Sequence, residues 1–172
     1  DGAFLPIGRM MKRGFLRRLD AGALADEGAA QFKAFIDAFD RPPDFVDGHQ
    51  HVHLAPQVSE AVLAATTNHA PEAWVRQCGR TVDLARRLAD RKGLVLDLLS
   101  RRLRRLAQAR GLATNPGFAG TYDFNGEQRF ADLFPRFLDG MPDGGPLHQP
   151  LLVDHGGGKL DRLHLIPGKV GD

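Results

Sequence analysis

Cysteine is almost absent from this chain, because Cys78 is the only one among 172 residues. A single cysteine excludes an intramolecular disulfide and a zinc site built from several thiolates. It fits a reducing compartment, so we expect a cytoplasmic protein. Long apolar runs are absent as well. None approaches the roughly 18 residues needed to span a bilayer, and the sequence therefore predicts no membrane partner.

A large excess of charge of one sign is also lacking. The formal net charge is +2 and the sequence pI is about 9.0, which is too small an excess to predict a nucleic-acid partner. The hydrophobic content of 42% and the charged content of 26% are typical of a globular protein, and we expect a single domain across residues 1–172. The chain begins at Asp1 rather than Met and its first residues read like the interior of a protein, so we expect a fragment.

Three of the seven histidines lie within five residues, at His49, His51 and His53, behind Asp47. Neutral imidazole is the commonest metal ligand among side chains. At alternate positions of an extended segment these histidines would project to one side, and His49 and His53 would also share a face of a helix. Asp47 would be an oxygen ligand or an acceptor that orients an imidazole. The alternative is that the histidines cap a strand end, but the clustering favours a metal or catalytic site.

The spacing of apolar residues predicts helices that alternate with short strands. Helical spacing is clearest in residues 26–39, where four apolar side chains fall at positions i, i+3, i+4 and i+7 and are expected to pack together: Phe32, Phe35, Ile36 and Phe39. The alternation predicts an α/β class with a mostly parallel sheet. The predicted helices cover about residues 8–20, 26–39, 56–69, 81–90, 95–110 and 126–138, and the predicted strands cover 44–47, 73–77 and 151–153.

Polar side chains follow each predicted strand directly. Asp47 and His49 follow the first strand, Arg76 lies at the end of the second, and Asp154 and His155 follow the third. In parallel α/β sheets and barrels the active site lies at the carboxyl ends of the strands. We therefore expect these groups to converge on one site.

Arginines are concentrated in the predicted helices 81–90 and 95–110. In the second helix one face is expected to be apolar and the other is basic; the apolar residues are Val95, Leu99, Leu103 and Leu106, and the basic ones are Arg101, Arg102, Arg104 and Arg105. Such a face can bind nucleic acid or an acidic surface. No aromatic residues for base stacking are interleaved, so a solvated helix face is the simpler interpretation. A non-catalytic remnant or basic binding module remains an alternative function.

Three blocks resemble the YdjC-like carbohydrate deacetylase family, which includes the chitooligosaccharide deacetylases. They are Arg41–His53, Trp74–Cys78 and Asn115–Phe124, and the resemblance runs over about residues 1–146. The resemblance implies a distorted (β/α) TIM-like barrel, of which this chain would form an incomplete portion. It also implies a divalent metal ion, Mg²⁺ or Zn²⁺, held by one Asp and two His. The implied reaction removes N-acetyl groups from an acetylated amino-sugar substrate.

The family pattern assigns roles to the clustered residues. His49 matches the second histidine ligand of the metal, while Asp47, His51 and His53 match positions that line or support the site. The sequence does not determine the oligomeric state, and a homodimer is possible as well as a monomer. Another metal-dependent hydrolase on the same barrel is a further alternative, since a fold does not determine a reaction.

Two catalytic candidates come from later blocks. Arg76 matches a residue that follows a later strand and would orient the substrate or stabilise charge. His155 would hold the place of a histidine that acts as general acid or contacts the substrate, although Val153–Gly157 lacks the Cys and Pro of the family's Cys-His-Pro-Gly block. The family's Asp-Asp-Phe-Gly and Gly-x-His segments, which supply the other metal ligands, are not in this sequence. We therefore expect weak metal binding and no turnover from this chain alone.

Overall fold

The computed structural model of the protein describes residues 5–80, 91–118, 131–132, 135 and 163–165; for residues 91, 92 and 163–165 it describes the backbone only. The predicted helix 81–90, the predicted strand 151–153 and the candidate residue His155 lie outside this range. Where the structure describes the chain, no helix is long and apolar enough to cross a membrane.

Four helices and one 3₁₀ segment are defined within the described residues. They are α1 (Ile7–Phe15), α2 (Ala21–Phe39), the 3₁₀ segment His49–Leu54, α3 (Val58–His69) and α4 (Arg91–Gln108). Residues 131, 132 and 135 are also helical, within the helix predicted over 126–138.

Two helix boundaries differ from the prediction for local reasons. Helix α1 ends at Phe15 instead of near residue 20, because Arg17 adopts the left-handed conformation with a φ of 52°. Helix α2 begins at Ala21 instead of residue 26, because the Asp20 side chain accepts a hydrogen bond of 3.0 Å from the backbone N–H of Ala23. An aspartate at this position satisfies an N–H group that the helix itself leaves unpaired.

The sheet consists of parallel strands in the order β2-β1-β3, which are Trp74–Val75, Phe45–Gly48 and Leu163–Leu165. The sequence shows no clear pattern in the tail, so no element was predicted there, and the structure adds β3. Three residues are too short for a periodic signal, and their strand conformation depends on pairing with β1. The α/β class with parallel pairing is confirmed, and closure into a barrel stays a prediction.

The chain that follows α4 extends the sheet beyond β2. The backbone N–H of Val75 donates to the carbonyl of Ala113 over 2.9 Å, and parallel bridges join Val75 to Thr114 and Arg80 to Phe118. Residues 113–118 therefore run alongside the strand and its continuation. This arrangement brings Phe118 to the same end of the sheet as Arg76.

The core lies between the sheet and helices α2, α3 and α4. Val46, Val75, Phe32, Leu63 and Leu103 are all completely buried. Burial of nonpolar surface of this kind contributes most of the favourable free energy of folding.

The predicted apolar stripes were wrong at two positions. Phe39 is half-exposed at the end of α2, where its ring contacts Phe35, and Val95 on α4 is also half-exposed. On α4 the buried face instead contains the polar residues Asp97 and Ser100. Asp97 binds Arg80, and the hydroxyl oxygen of Ser100 accepts a hydrogen bond from the backbone N–H of Cys78. Polar contacts between distant segments therefore determine which face of α4 is turned toward the core.

Candidate active site at the ends of strands β1 and β2

The histidine cluster adopts a tight turn that neither an extended strand nor a single helix would produce. Gln50 and His51 have positive φ angles of 49° and 62°, inside the 3₁₀ segment that follows β1. As a result the three imidazoles have different environments: His49 is exposed, His51 is half-buried and His53 is completely buried. The expectation that these side chains project to one side is therefore wrong.

His53 occupies the interior beneath this turn. Its Nε2 lies 2.7 Å from the carbonyl oxygen of Arg76. A carbonyl only accepts hydrogen bonds, so Nε2 carries the proton and Nδ1 is unprotonated. Nδ1 is buried and has no hydrogen-bond partner among the described residues; it lies 3.9 Å from Oδ1 of Asp47. Burial lowers the pKa of His53, and the opposing effect of the Asp47 carboxylate does not overcome it, so the imidazole is neutral near pH 7.

Arg76 joins the ends of the two strands. Its Nε donates to Oδ1 of Asp47 over 2.7 Å, and both side chains are about 5% exposed or less. The guanidinium also lies over the ring of Phe118, 5.3 Å from its centre. The structure thus brings together Asp47 and Arg76, two of the residues expected to converge at the carboxyl ends of the strands.

His51 is attached to the same group. A terminal nitrogen of Arg76 lies 3.1 Å from Nδ1 of His51, and the Sγ atom of Cys78 lies 3.2 Å from Nδ1 as well. Because a guanidinium only donates, Nδ1 accepts and the imidazole proton is on Nε2. The edge of His51 also contacts the Phe118 ring, with the two ring centres 5.7 Å apart.

Cys78 and Phe118 were not named as site residues from the sequence. Both lie inside blocks that carry the family resemblance, and that membership was the available signal. Cys78 is completely buried and Phe118 is 3% exposed. They act here as packing partners of His51 and Arg76, a role that sequence spacing does not reveal.

Asn115 holds the Phe118 segment against the strand. Its side-chain oxygen accepts from the backbone N–H of Gln77 over 2.7 Å, and its side-chain nitrogen donates to the Gln77 carbonyl over 3.0 Å. The Gln77 side chain in turn donates to the Asn115 carbonyl over 3.1 Å. These reciprocal bonds replace part of a regular strand ladder. They place Phe118 at the position from which its ring covers Arg76.

Comparison with known proteins supports the family resemblance that was inferred from the sequence blocks around this site. A family described as YdjC-like protein matches residues 1–163. The chain belongs to the YdjC-like family. The resemblance inferred from the sequence is thereby confirmed.

Curated relatives cover a shorter stretch of this YdjC-like chain. A protein named chitooligosaccharide deacetylase from Yersinia enterocolitica is 32% identical over 79 residues, which is 46% of this chain and 28% of that protein. Proteins of the same name from Yersinia pestis and Yersinia pseudotuberculosis are 33% identical over 79 residues, with the same shares of 46% and 28%. The chain thus matches little more than a quarter of the length of these relatives. No solved structure matches it.

The described side chains do not assemble a metal centre by themselves. Among the described residues, no group of three or more His, Cys, Asp or Glu side chains is placed to hold a metal ion. Asp47 is bound to Arg76, and the unprotonated nitrogen of His53 faces the buried interior. His49 is the exposed imidazole at the end of β1. These residues therefore fit, at most, part of the ligand set that the resemblance implies.

Proposed function

We propose that this chain carries part of the active site of a carbohydrate deacetylase that removes N-acetyl groups from amino-sugar oligosaccharides. Membership in the YdjC-like family and the names of the Yersinia relatives support the reaction class. The observation that carries the proposal is the buried pair of Asp47 and Arg76 at the carboxyl ends of adjacent parallel strands. That edge of a parallel sheet is where α/β enzymes form their active sites.

Arg76 is proposed to stabilise charge and to orient the substrate. Hydrolysis of an amide places negative charge on the acetyl oxygen, and a cation held in advance at that point lowers the barrier. The guanidinium is held on one side by Asp47 and on one face by Phe118, so little reorganisation is required. A guanidinium only donates hydrogen bonds, so the role proposed for Arg76 is electrostatic and no proton transfer is assigned to it.

The metal ion, its ligand and the general acid are proposed from the family resemblance. A divalent ion, Mg²⁺ or Zn²⁺, would polarise the acetyl carbonyl and lower the pKa of a bound water when present. His49 is the candidate ligand among the described residues, and Asp47, His51 and His53 support the site around it. His155 is the candidate general acid for the leaving amine. We also propose that the described sheet is part of a (β/α) barrel and that the domain is single.

Substrate recognition can be tested on the 172-residue chain without turnover. We expect N-acetylated chitotriose to show ligand-observed NMR contacts to the protein, with its acetyl methyl protons most strongly affected, and the deacetylated sugar to bind more weakly. Arg76→Met should weaken binding of the acetylated sugar, whereas Arg41→Met, which alters an arginine beside the strand β1 but outside the site, should leave it unchanged. Equal binding of both sugars by all three proteins would remove support for the deacetylase.

A second measurement concerns the metal. Release of acetate from the acetylated sugar should be absent for this chain alone, both with added Mg²⁺ or Zn²⁺ and with a chelator, because the described residues supply an incomplete ligand set. Turnover that depends on metal and disappears in His49→Ala would confirm the reaction but show that the remaining ligands lie in this chain. Turnover that is insensitive to chelator would contradict the proposed metal.

A further inference from the structure

A basic concavity of about 580 Å³ lies at the carboxyl end of α4, apart from the residues of the candidate active site. We propose that this arginine concavity binds a multiply charged oxyanion, such as a phosphoryl or diphosphoryl group. Its lining residues are Arg101, Arg104, Arg105, Gln108, Leu112 and Thr114.

The chemistry of the lining is that of an anion site. Among the described residues that line the concavity, every polar side chain can donate hydrogen bonds and none is a carboxylate. Arginine suits this purpose because its planar guanidinium binds two oxygens of a phosphate at once. The amide of Gln108 and the hydroxyl of Thr114 add neutral donors. A carbohydrate without anionic groups would leave three guanidinium charges unmatched, so the lining selects for negative charge.

The neighbouring Arg102 shows what a structural arginine on this helix looks like. It donates to Glu60 over 2.6 Å and to Ser59 over 2.6 Å, and so joins α4 to α3. Within the described part of the chain, by contrast, no carboxylate forms an ion pair with Arg101, Arg104 or Arg105. The arginines of this part of α4 therefore differ in role: Arg102 is satisfied by protein acceptors, and the other three line the concavity.

The spacing of these three arginines is unfavourable for the helix alone. Arg101 is three residues before Arg104 and four before Arg105, so the like charges are neighbours on one face of the helix. Cations near the end of a helix interact favourably with its dipole, but this effect is confined to the last turn. The favourable interaction with the dipole therefore applies to Arg105, which lies in the last turn, but not to Arg101 or Arg104. A bound oxyanion would offset the repulsion among all three.

Leu112 and Thr114, which also line the concavity, follow a hydrogen-bonded turn at the end of α4. The N–H of Leu112 donates to the carbonyl of Ala107 over 3.0 Å, and the N–H of Gly111 donates to that of Gln108 over 3.0 Å. Gly111 has a φ of 72°, as the Schellman end of a helix requires. The turn buries Leu112 and leads Thr114 into its bridge with Val75. These backbone contacts hold Thr114 in place before any ligand binds, so that this part of the lining is preformed.

The test is calorimetric titration of the 172-residue chain with inorganic diphosphate at constant ionic strength. We expect saturable binding of one diphosphate, weakened about tenfold or more in Arg101→Gln/Arg104→Gln/Arg105→Gln. The matched control is Arg9→Gln/Lys12→Gln/Arg13→Gln, which removes the same charge from another basic cavity, on α1. The control variant should bind like the unaltered chain. Replacing the three α4 arginines by lysine should give intermediate affinity, because the charge stays and the two-point geometry is lost.

Several outcomes would overturn the proposal. They are the absence of saturable binding, equal weakening in both glutamine variants, and full affinity in the α4 glutamine variant. A single-stranded oligonucleotide is the competing ligand. If it binds more tightly than diphosphate at the same salt concentration and loses affinity in both variants, the surface is an extended nucleic-acid surface and the small-oxyanion site is wrong. Thermal unfolding of each variant confirms that the exposed substitutions leave the fold intact.

Discussion

His53 donates its Nε2 proton to the backbone carbonyl of Arg76 over 2.7 Å and thereby joins the turn after β1 to the end of β2. Arg76 returns to β1 through its side chain, which binds Asp47. The residue is therefore attached at both its carbonyl and its guanidinium. This double attachment directs the guanidinium toward His51 and Phe118, and it makes the geometry of the candidate site depend on a histidine that is itself completely buried.

Gly48 is required by the close approach of the His53 ring, not by its backbone angles. A Cβ atom added at Gly48 would lie 2.5 Å from Nδ1 of His53, whereas one at Gly8 would meet nothing within 4 Å. The φ of Gly48 is −115°, which any residue can adopt. We expect Gly48→Ala to lower the free energy of unfolding by about 1–3 kcal/mol, since overpacking a buried site displaces its neighbours.

Gly8→Ala is the matched control, because it lies near the start of α1 in open space. It should leave stability unchanged or raise it by about 0.5 kcal/mol. Urea denaturation of both variants gives the comparison. Equal effects of the two substitutions would contradict the packing of His53 against Gly48.

The buried imidazole of His53 should make stability depend on pH. Burial lowers its pKa from the usual 6.5, so below that pH the unfolded chain binds a proton that the folded chain does not. The free energy of unfolding therefore rises as the pH rises toward 6.5, and the contribution from the neutral, buried His53 is complete above that pH. We expect the urea midpoint to fall as the pH is lowered from about 7.5 to about 5.5. The pKa of Glu60 is lowered from its usual 4.5, chiefly by the hydrogen bond to Arg17. Protonation of Glu60 should therefore cause a further loss of stability only below that pH.

Two variants assign the pH effect to His53. His53→Gln should be less stable at pH 7 and show a shallower decline, because glutamine does not titrate. His49→Gln, which removes an exposed imidazole, should keep the full decline. A decline that is unchanged in His53→Gln would show that another group is responsible.

The pair of Asp47 and Arg76 should be strongly coupled. Removing one partner leaves the other charge buried, and we expect Asp47→Asn or Arg76→Met alone to cost about 3–5 kcal/mol of stability. The double variant should cost clearly less than the sum of the two, which a double-mutant cycle measures by denaturation. Asp44→Asn breaks the exposed pair of Asp44 and Arg41 and should change stability by less than about 0.5 kcal/mol. Additive effects at positions 47 and 76 would contradict the coupling.

Glu60 connects three helices. Arg17, two residues after the end of α1, donates to both oxygens of Glu60, at 3.0 and 2.9 Å. Arg102 of α4 donates to one of these oxygens at 2.6 Å. We expect Glu60→Gln to lower the urea midpoint at low salt, with a smaller difference in high salt because the exposed charges are screened. Asp37→Asn, in the exposed pair with Lys33 on α2, should have a smaller effect. An effect of Glu60→Gln that does not change with salt would point to packing instead.

Several features of this protein were available from local patterns. The apolar spacing of residues 26–39 predicted α2, and the short apolar run before Asp47 predicted β1. The presence of polar residues at the ends of β1 and β2 led to the expectation that Asp47 and Arg76 meet. The family was evident from its motifs. In each case the information lies in neighbouring residues or in a motif, and requires no knowledge of distant contacts.

The directions of the histidines depended on the tertiary structure. Alternate spacing implied a shared direction, but the left-handed residues Gln50 and His51 turn the chain so that His53 enters the interior while His49 faces solvent. The driving contacts join residues far apart in the chain, such as His53 with Arg76.

The sequence by itself thus determined the α/β class and the edge of the sheet where polar groups gather, because these follow from the periodicity of apolar and polar residues along the chain. It determined the family through the resemblance carried by the motifs. Only the tertiary structure decided that β3 pairs with β1, that Phe118 and Cys78 enclose the Arg76 and His51 side chains, and that α4 buries Asp97. The physical reason is that a strand of three residues, a ring contact or a buried ion pair is stable only when a remote segment supplies the partner. A local pattern carries no record of that partner.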